Sequence, residues 1–260
     1  YQKKGRGRRN NTWTSSPGNN LTFSLVLKEQ DKRKLGLFSI LSGIAVVKGI
    51  EKFTGMQCSL KWPNDIILND KKIGGILIET KNKDNNVYSV IGIGINVNQE
   101  EFPKELQSMA SSLRIEDSNP VQREPLLAFM LNEFEKLYES NADEWVALWK
   151  EYCNHMNKKI IFHKNDALIE GHFMNIDNNG NAIINIDSKE MLISSGVLEM
   201  PYFNKPTINI GYRQKGRLMD NSVINVKWNK TKIKKEIYKS LYKKQFYKNK
   251  YLFGNGNSTK

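Results

Sequence analysis

The sequence predicts an α+β protein, with a mixed β-sheet flanked by helices, then a small β-barrel and a basic tail. Three observations predict it. Residues 34–53 are apolar around most of a helical circumference (Leu37, Ile40, Leu41, Ile44, Ala45, Val47), the pattern of a helix buried on nearly all sides. Residues 60–97 and 158–200 instead hold short β-branched runs broken by Asn, Asp and Gly, the pattern of strands and tight turns. The charge is also sharply divided. Residues 1–200 carry 25 Lys and Arg against 25 Asp and Glu, and residues 201–260 carry 15 against 2. The whole net charge of +13 therefore lies in the last sixty residues, which sets a boundary near Pro201.

The elements follow in order. After the buried helix, residues 60–80 are punctuated by Pro63-Asn64-Asp65, Asn69-Asp70 and Gly74-Gly75, so several strands joined by turns are expected. Residues 87–97, rich in Ile and Val, form another strand. Pro125 opens an amphipathic helix with Leu126, Met130, Phe134 and Leu137 on one face, and Trp145, Val146, Leu148 and Trp149 mark a second. Runs at 159–163, 167–173, 182–186 and 190–193, spaced by about 8–12 residues, predict the barrel. Residues 232–247 form a lysine-rich helix candidate with a thin stripe of Ile233, Ile237, Leu241 and Phe246. The expected domains are residues 1–155, 156–200 and 201–260.

Composition excludes several classes. With 39% hydrophobic residues among 260, the chain can fill a core, which excludes wholesale disorder. No run reaches the ~18 apolar residues of a membrane helix; the best, residues 35–50, is broken by Gly36, Ser39, Ser42 and Lys48. Cys58 and Cys153 form no CxxC pair, and His155, His163 and His172 have no metal-site spacing, so no metal ligands are expected. The opening Tyr1-Gln2-Lys3-Lys4 is neither a start methionine nor a signal peptide. The expectation is a cytoplasmic, reduced protein whose natural N-terminus lies further upstream.

Four segments carry chemistry. In Gly5-Arg6-Gly7-Arg8-Arg9, glycines allow close backbone approach and arginines supply cationic forks for carboxylate or phosphate; taken alone, these residues read more readily as a solvated basic loop or an RG-type RNA contact. Lys61-Trp62-Pro63-Asn64-Asp65 combines a fixed turn with donors, acceptors and a carboxylate, and is also ordinary turn chemistry. Lys72, just before Gly74-Gly75, can reach a phosphoryl or carbonyl oxygen, or be a surface lysine on a turn. In Gly92-Ile93-Gly94-Ile95-Asn96, strand alternation puts Gly92, Gly94, Asn96 and Asn98 on one face. Interior strand glycines often mean that something lies against the sheet, either a ligand or a packed helix.

These segments, together with Trp13, Ser16-Pro17-Gly18, Leu21, Ser24 and Gly75-Ile76-Leu77-Ile78-Glu79, resemble in order and spacing the biotin–protein ligases over residues 1–200. The resemblance implies that family's class II synthetase-like catalytic domain followed by an SH3-like barrel. It implies ATP with Mg2+ and biotin as reactants, biotinyl-5′-AMP as intermediate, and transfer of biotin to a lysine of a biotin carboxyl-carrier domain. By motif position, Gln2, Gly5, Arg6, Gly7, Arg8, Lys72 and Gly75 fall on biotin-binding positions. Trp13, Lys61, Asn64, Asp65 and Asn96 fall on nucleotide-binding positions. Arg8 and Lys72 are the implied catalytic pair, since two anions must meet and cationic donors must neutralise both.

Two features depart from the family pattern. Its Ser/Thr-Asn motif would precede residue 1, and the basic loop runs on as Arg9-Asn10-Asn11 where Arg-Gly-Arg is usual. A lipoate ligase would share the implied fold, but the Gly-Arg-Gly-Arg-Arg and Lys-Trp-Pro-Asn-Asp segments favour biotin. Two alternatives stand beside the enzyme, namely a catalytically impaired fusion or fragment, and a basic nucleic-acid-binding module. The neutral body, without aromatic platforms, makes nucleic acid the less expected partner. A membrane partner is not expected, and a homodimer is left open.

The tail resembles the C-terminal end of hydrolysing UDP-N-acetylglucosamine 2-epimerases, through Arg213-Gln214-Lys215-Gly216-Arg217 and Gly254-Asn255-Gly256-Asn257. Sixty residues lack the two Rossmann-like domains of that family, so the tail is expected to be inert alone.

Overall fold

The computed structural model describes residue 2, residues 4–164 and residues 167–200, which belong to one compact unit. The tail, with its expected helix and its epimerase likeness, lies outside the described residues.

The chain opens with a short hairpin, β1 (Gly5–Arg6) against β2 (Thr12–Trp13), and continues into β3 (Leu21–Lys28). Helix α1 (Lys32–Thr54) follows. Asp31 caps its N-terminus by accepting from the backbone N–H of Arg33 and Lys34, and Gly55, at φ 75°, ends it in the left-handed conformation. Strands β4 (Ser59–Lys61), β5 (Asp65–Leu68), β6 (Lys71–Lys83) and β7 (Asn86–Ile95) then form a meander. Its two tight turns are Asn69-Asp70 and Asp84-Asn85, residue types that tolerate the positive φ angles seen at all four positions.

The sheet order is β3-β7-β6-β5-β4, and every one of these strand pairs is antiparallel. The expected mixing of strand directions is corrected here. Among the described residues, parallel pairing is confined to isolated bridges at Leu60–Cys153 and Lys72–Ala110. Short turns join β4 through β7 and can only reverse direction, while β3, which leads into α1, lies antiparallel beside β7.

One sheet face is core. Ile66, Ile73, Ile91 and Ile95 are fully buried there with Leu37, Leu41 and Ile44 of α1. The short α2 (Leu113–Asp117), α3 (Arg123–Tyr138) and α4 (Ala142–Tyr152) complete the helical layer. Pro125 sits in the first turn of α3, two residues after its start, where its missing N–H costs no helical bond.

Five further strands, β8 (Lys158–Lys164), β9 (Ala167–Ile176), β10 (Ala182–Ile186), β11 (Lys189–Ile193) and β12 (Leu198–Glu199), make one antiparallel sheet ordered β11-β10-β9-β8-β12. Its core residues Ile160, Phe173 and Ile184 are continuous with Trp149 of α4, and Trp62 Nε1 donates to Gly180 O across the junction at 2.9 Å.

Candidate active site

The opposite face of the first sheet carries a cavity of about 300 Å³, with the β1–β2 hairpin as one wall and β6 and β7 as the other. Gly5 is required where the hairpin closes, since a Cβ there would lie 2.5 Å from Trp13 O. The backbone N–H of Gly7 donates to Asn11 O at 2.7 Å, turning Arg8 back toward the sheet.

The floor follows from strand register. Thr22, Gly94 and Gly75 form one cross-strand row, Ser24, Gly92 and Leu77 the next, and Val26, Val90 and Glu79 a third. A one-residue irregularity interrupts this alternation. Ile66 pairs with Gly74 but Ile67 with Lys72, so Ile73 is a bulge. Without it, residue 73 would share the face of Gly75. With it, Ile73 is buried in the core and Lys72 turns to the cavity, its Nζ 3.5 Å from where a Gly75 Cβ would stand.

Lys72 Nζ pairs with Asp65 Oδ1 at 2.5 Å. Next to Asp65, Asn64 is held from both sides, its Nδ2 donating to Ile76 O at 2.8 Å and its O accepting from the Ile76 N–H at 3.0 Å. Its remaining amide oxygen faces Arg8, whose Nη1 donates to it at 3.4 Å. Burial, and next the charge of Arg9, lower the Arg8 pKa from its ordinary value, with Asp65 opposing them. The turn itself is anchored by Ser39 Oγ of α1, which donates to Pro63 O at 2.8 Å. Six cationic side chains (Lys4, Arg6, Arg8, Arg9, Lys61, Lys72) and two carboxylates (Asp65, Glu79) line the cavity. A cavity with this excess suits an anionic ligand.

The cavity brings together Gln2, Arg6, Gly7, Arg8, Trp13, Lys61, Asn64, Asp65, Lys72 and Gly75 from the sequence-derived set. Gly5 lines the adjoining depression at the rim. Asn96 stands apart, because β7 ends at Ile95. Its Nδ2 donates to Ser111 O at 3.1 Å and its N–H to Ile73 O at 2.7 Å, which ties the 111–113 segment to the sheet.

The glycine face is also less bare than the sequence suggests. The Trp13 indole lies over Gly94, where a Cβ would come within 2.7 Å of two ring carbons, and its buried Nε1 has no hydrogen-bond partner. Gly92 is the open position. Sequence reasoning missed Thr22 of β3 and named Ser24 only as a motif position, though the alternation of Leu21, Phe23, Leu25 and Leu27 carries the strand signal. It also missed the wall formed by Gly196, Val197 and Leu198, which no local pattern could reveal.

Residues 1–96, which contain the hairpin, the 61–65 turn and the cavity strands, match the biotin/lipoate A/B protein ligase family. Individual relatives include ligase/repressor proteins and biotin–protein ligases. The chain is 34% identical over 207 residues to the bifunctional ligase/repressor BirA of Bacillus subtilis, covering 76% of this chain and 64% of that protein. It is 29% identical over 194 residues to the Escherichia coli protein of the same name, covering 72% of this chain and 60% of that one. The chain thus spans somewhat less than two thirds of the length of either relative. A solved structure of biotin protein ligase from Aquifex aeolicus in complex with biotin and ATP superposes with a TM-score of 0.67 at 27% identity, covering 77% of this chain and 86% of that one. The family resemblance carried by the motifs is borne out. Among the described residues, no helix is long and apolar enough to cross a membrane.

Proposed function

We propose that the protein is an ATP-dependent biotin–protein ligase. The observation that carries this reading is the convergence, in one cavity, of Arg8 from the hairpin beside Asn64 and of Lys72 from the bulged strand beside Asp65. In the first step a biotin carboxylate oxygen attacks the α-phosphorus of ATP. The bond to the bridging oxygen breaks, and pyrophosphate leaves with the electron pair. In the second, a neutral lysine amine of a biotin carboxyl-carrier domain attacks the acyl carbon of biotinyl-5′-AMP. The amide C–N bond forms, the acyl C–O bond breaks, AMP leaves, and the amine proton passes to solvent. Arg8 and Lys72 stabilise the charge that builds on the phosphoryl and acyl oxygens.

Gln2, Gly5, Arg6, Gly7 and Gly75 are read as the biotin side, and Trp13, Lys61, Asn64 and Asp65 as the nucleotide side. For Asn96 the reading is indirect, through the 111–113 segment. Magnesium is treated as part of the nucleotide substrate, carried on its phosphates. The inner carboxylate, Asp65, is already engaged by Lys72. The second sheet is read as the SH3-like domain, contributing Gly196, Val197 and Leu198 as a wall.

Biotin-dependent exchange of 32P between pyrophosphate and ATP tests the proposal directly. Exchange above the biotin-free background is expected, and its absence from folded protein would overturn the reading.

A further inference from the structure

The two carboxylates of the cavity are differently placed. Asp65 lies inward beside Asn64, on the cross-strand row of Gly75 and Gly94, and is paired with Lys72. Glu79 lies two rows further along β6, beside Val90 and the exposed Val26, where the floor runs out to solvent. Its Oε2 pairs with Arg6 Nη2 at 2.9 Å, across from the hairpin. The hairpin therefore touches the sheet at three points: Trp13 on Gly94, Arg8 on Asn64, and Arg6 on Glu79. The first two belong to the inner cavity. The third joins the walls at the mouth, and both of its partners are substantially exposed, so it can open without disturbing the core.

We propose that Glu79 is a positioning residue. By holding Arg6, it clasps the β1–β2 hairpin against the sheet and sets how long the activated acyl-adenylate is retained before the acceptor lysine arrives. This inference rests on the ligase reading for its substrate, while the clasp itself rests on geometry alone. An exposed ion pair contributes modestly, so the expected effect is a two- to five-fold change in hairpin opening, equivalent to about 0.4–1 kcal/mol. That is enough to tune leakage of a reactive intermediate without preventing its formation. Salt should weaken the clasp, since exposed charges are screened.

The test uses the full chain and Glu79→Gln, which keeps shape and removes charge, with Arg6→Gln and the double variant. Two measurements are made. In unliganded protein, amide hydrogen exchange of residues 6–13 is expected to quicken two- to five-fold in each single variant, with the double variant no faster than either, and the difference should vanish in high salt. In turnover without carrier, release of biotinyl-5′-AMP from Glu79→Gln, trapped by hydroxylamine, should rise by the same factor, with KM for biotin rising more than kcat of exchange falls. Unchanged hairpin exchange in Glu79→Gln, or single effects that multiply in the double variant, would overturn the clasp. If neither wild type nor variants exchange pyrophosphate while hairpin protection still falls, the ligase reading fails and the clasp stands.

Discussion

Substituting the two floor glycines should separate folding from ligand binding. In Gly94→Ala the added methyl would stand 2.7 Å from Trp13 Cε2 and Cζ2. Carbon pairs prefer about 3.5–4.0 Å, so the indole must retreat by roughly 1 Å. Overpacking of this kind costs about 1–3 kcal/mol. For a unit of this size each kcal/mol is worth about 2–4 °C, so the melting temperature should fall by roughly 2–12 °C. In Gly92→Ala the nearest atom is Leu77 O at 3.5 Å, an ordinary contact, so the fold should hold or gain about 0.4–1 kcal/mol from a stiffer unfolded chain. Its methyl enters the cavity, however, and should lower kcat/KM for biotin in pyrophosphate exchange by about tenfold or more, equivalent to ~1.4 kcal/mol. Differential scanning calorimetry and the exchange assay, run on both variants, make the comparison. If Gly94→Ala melts like wild type, or Gly92→Ala exchanges normally, the assignment of one glycine to the Trp13 seat and the other to the ligand is wrong.

Other consequences can be measured alongside. Lys72→Ala should slow adenylate formation by about 2–4 kcal/mol in activation free energy, the scale of losing one charge-stabilising donor, and a normal single-turnover rate would remove Lys72 from the chemistry. His155 is fully buried, and burial, reinforced by Lys61 and Lys158, pushes its pKa down to about 3. The unfolded chain therefore takes up the proton first, so stability should be complete above pH 6.5 and fall by roughly 1.4 kcal/mol per unit toward pH 3. Urea denaturation at stepped pH checks this slope, which His155→Gln should flatten. Trp62→Phe removes the Nε1 bond to Gly180 O and leaves that carbonyl without this donor, so it should lower unfolding free energy by about 1–3 kcal/mol in urea titration.

Much of the fold was legible because its signals are local. The all-round apolar pattern of residues 34–53 could satisfy only a helix covered on most sides, and α1 has twelve buried residues. The turns at Asn69-Asp70 and Asn178-Asn179-Gly180 were legible because these residue types accept positive φ or hydrogen-bond their own backbone. Asp177 Oδ1 does so by accepting from the N–H of Asn179 and Asn181. The site was legible as a set of residue types in order, but not in its geometry. Trp13 over Gly94 and Arg6 on Glu79 each join positions more than seventy residues apart, and nothing near either partner encodes the meeting. Asn96 misled for a related reason. Strand alternation was carried one residue past Ile95, where the ladder ends and the backbone turns to bond Ile73 and Leu113.

The bulge at Ile73 makes the site depend on parity. Lys72 and Gly75 are three residues apart, so they share a face only while Ile73 stays bulged. Straightening the ladder at this length would turn Lys72 toward the isoleucine layer and bring Ile73 to the face of Gly75 and Asp65, whereas losing one residue together with the bulge would leave Lys72 on the cavity face. Substitution at residue 72 therefore changes the group presented, whereas the length of this segment and its bulge must change together. Homologues whose β6 lacks the bulge should place the lysine an even number of positions from the glycine.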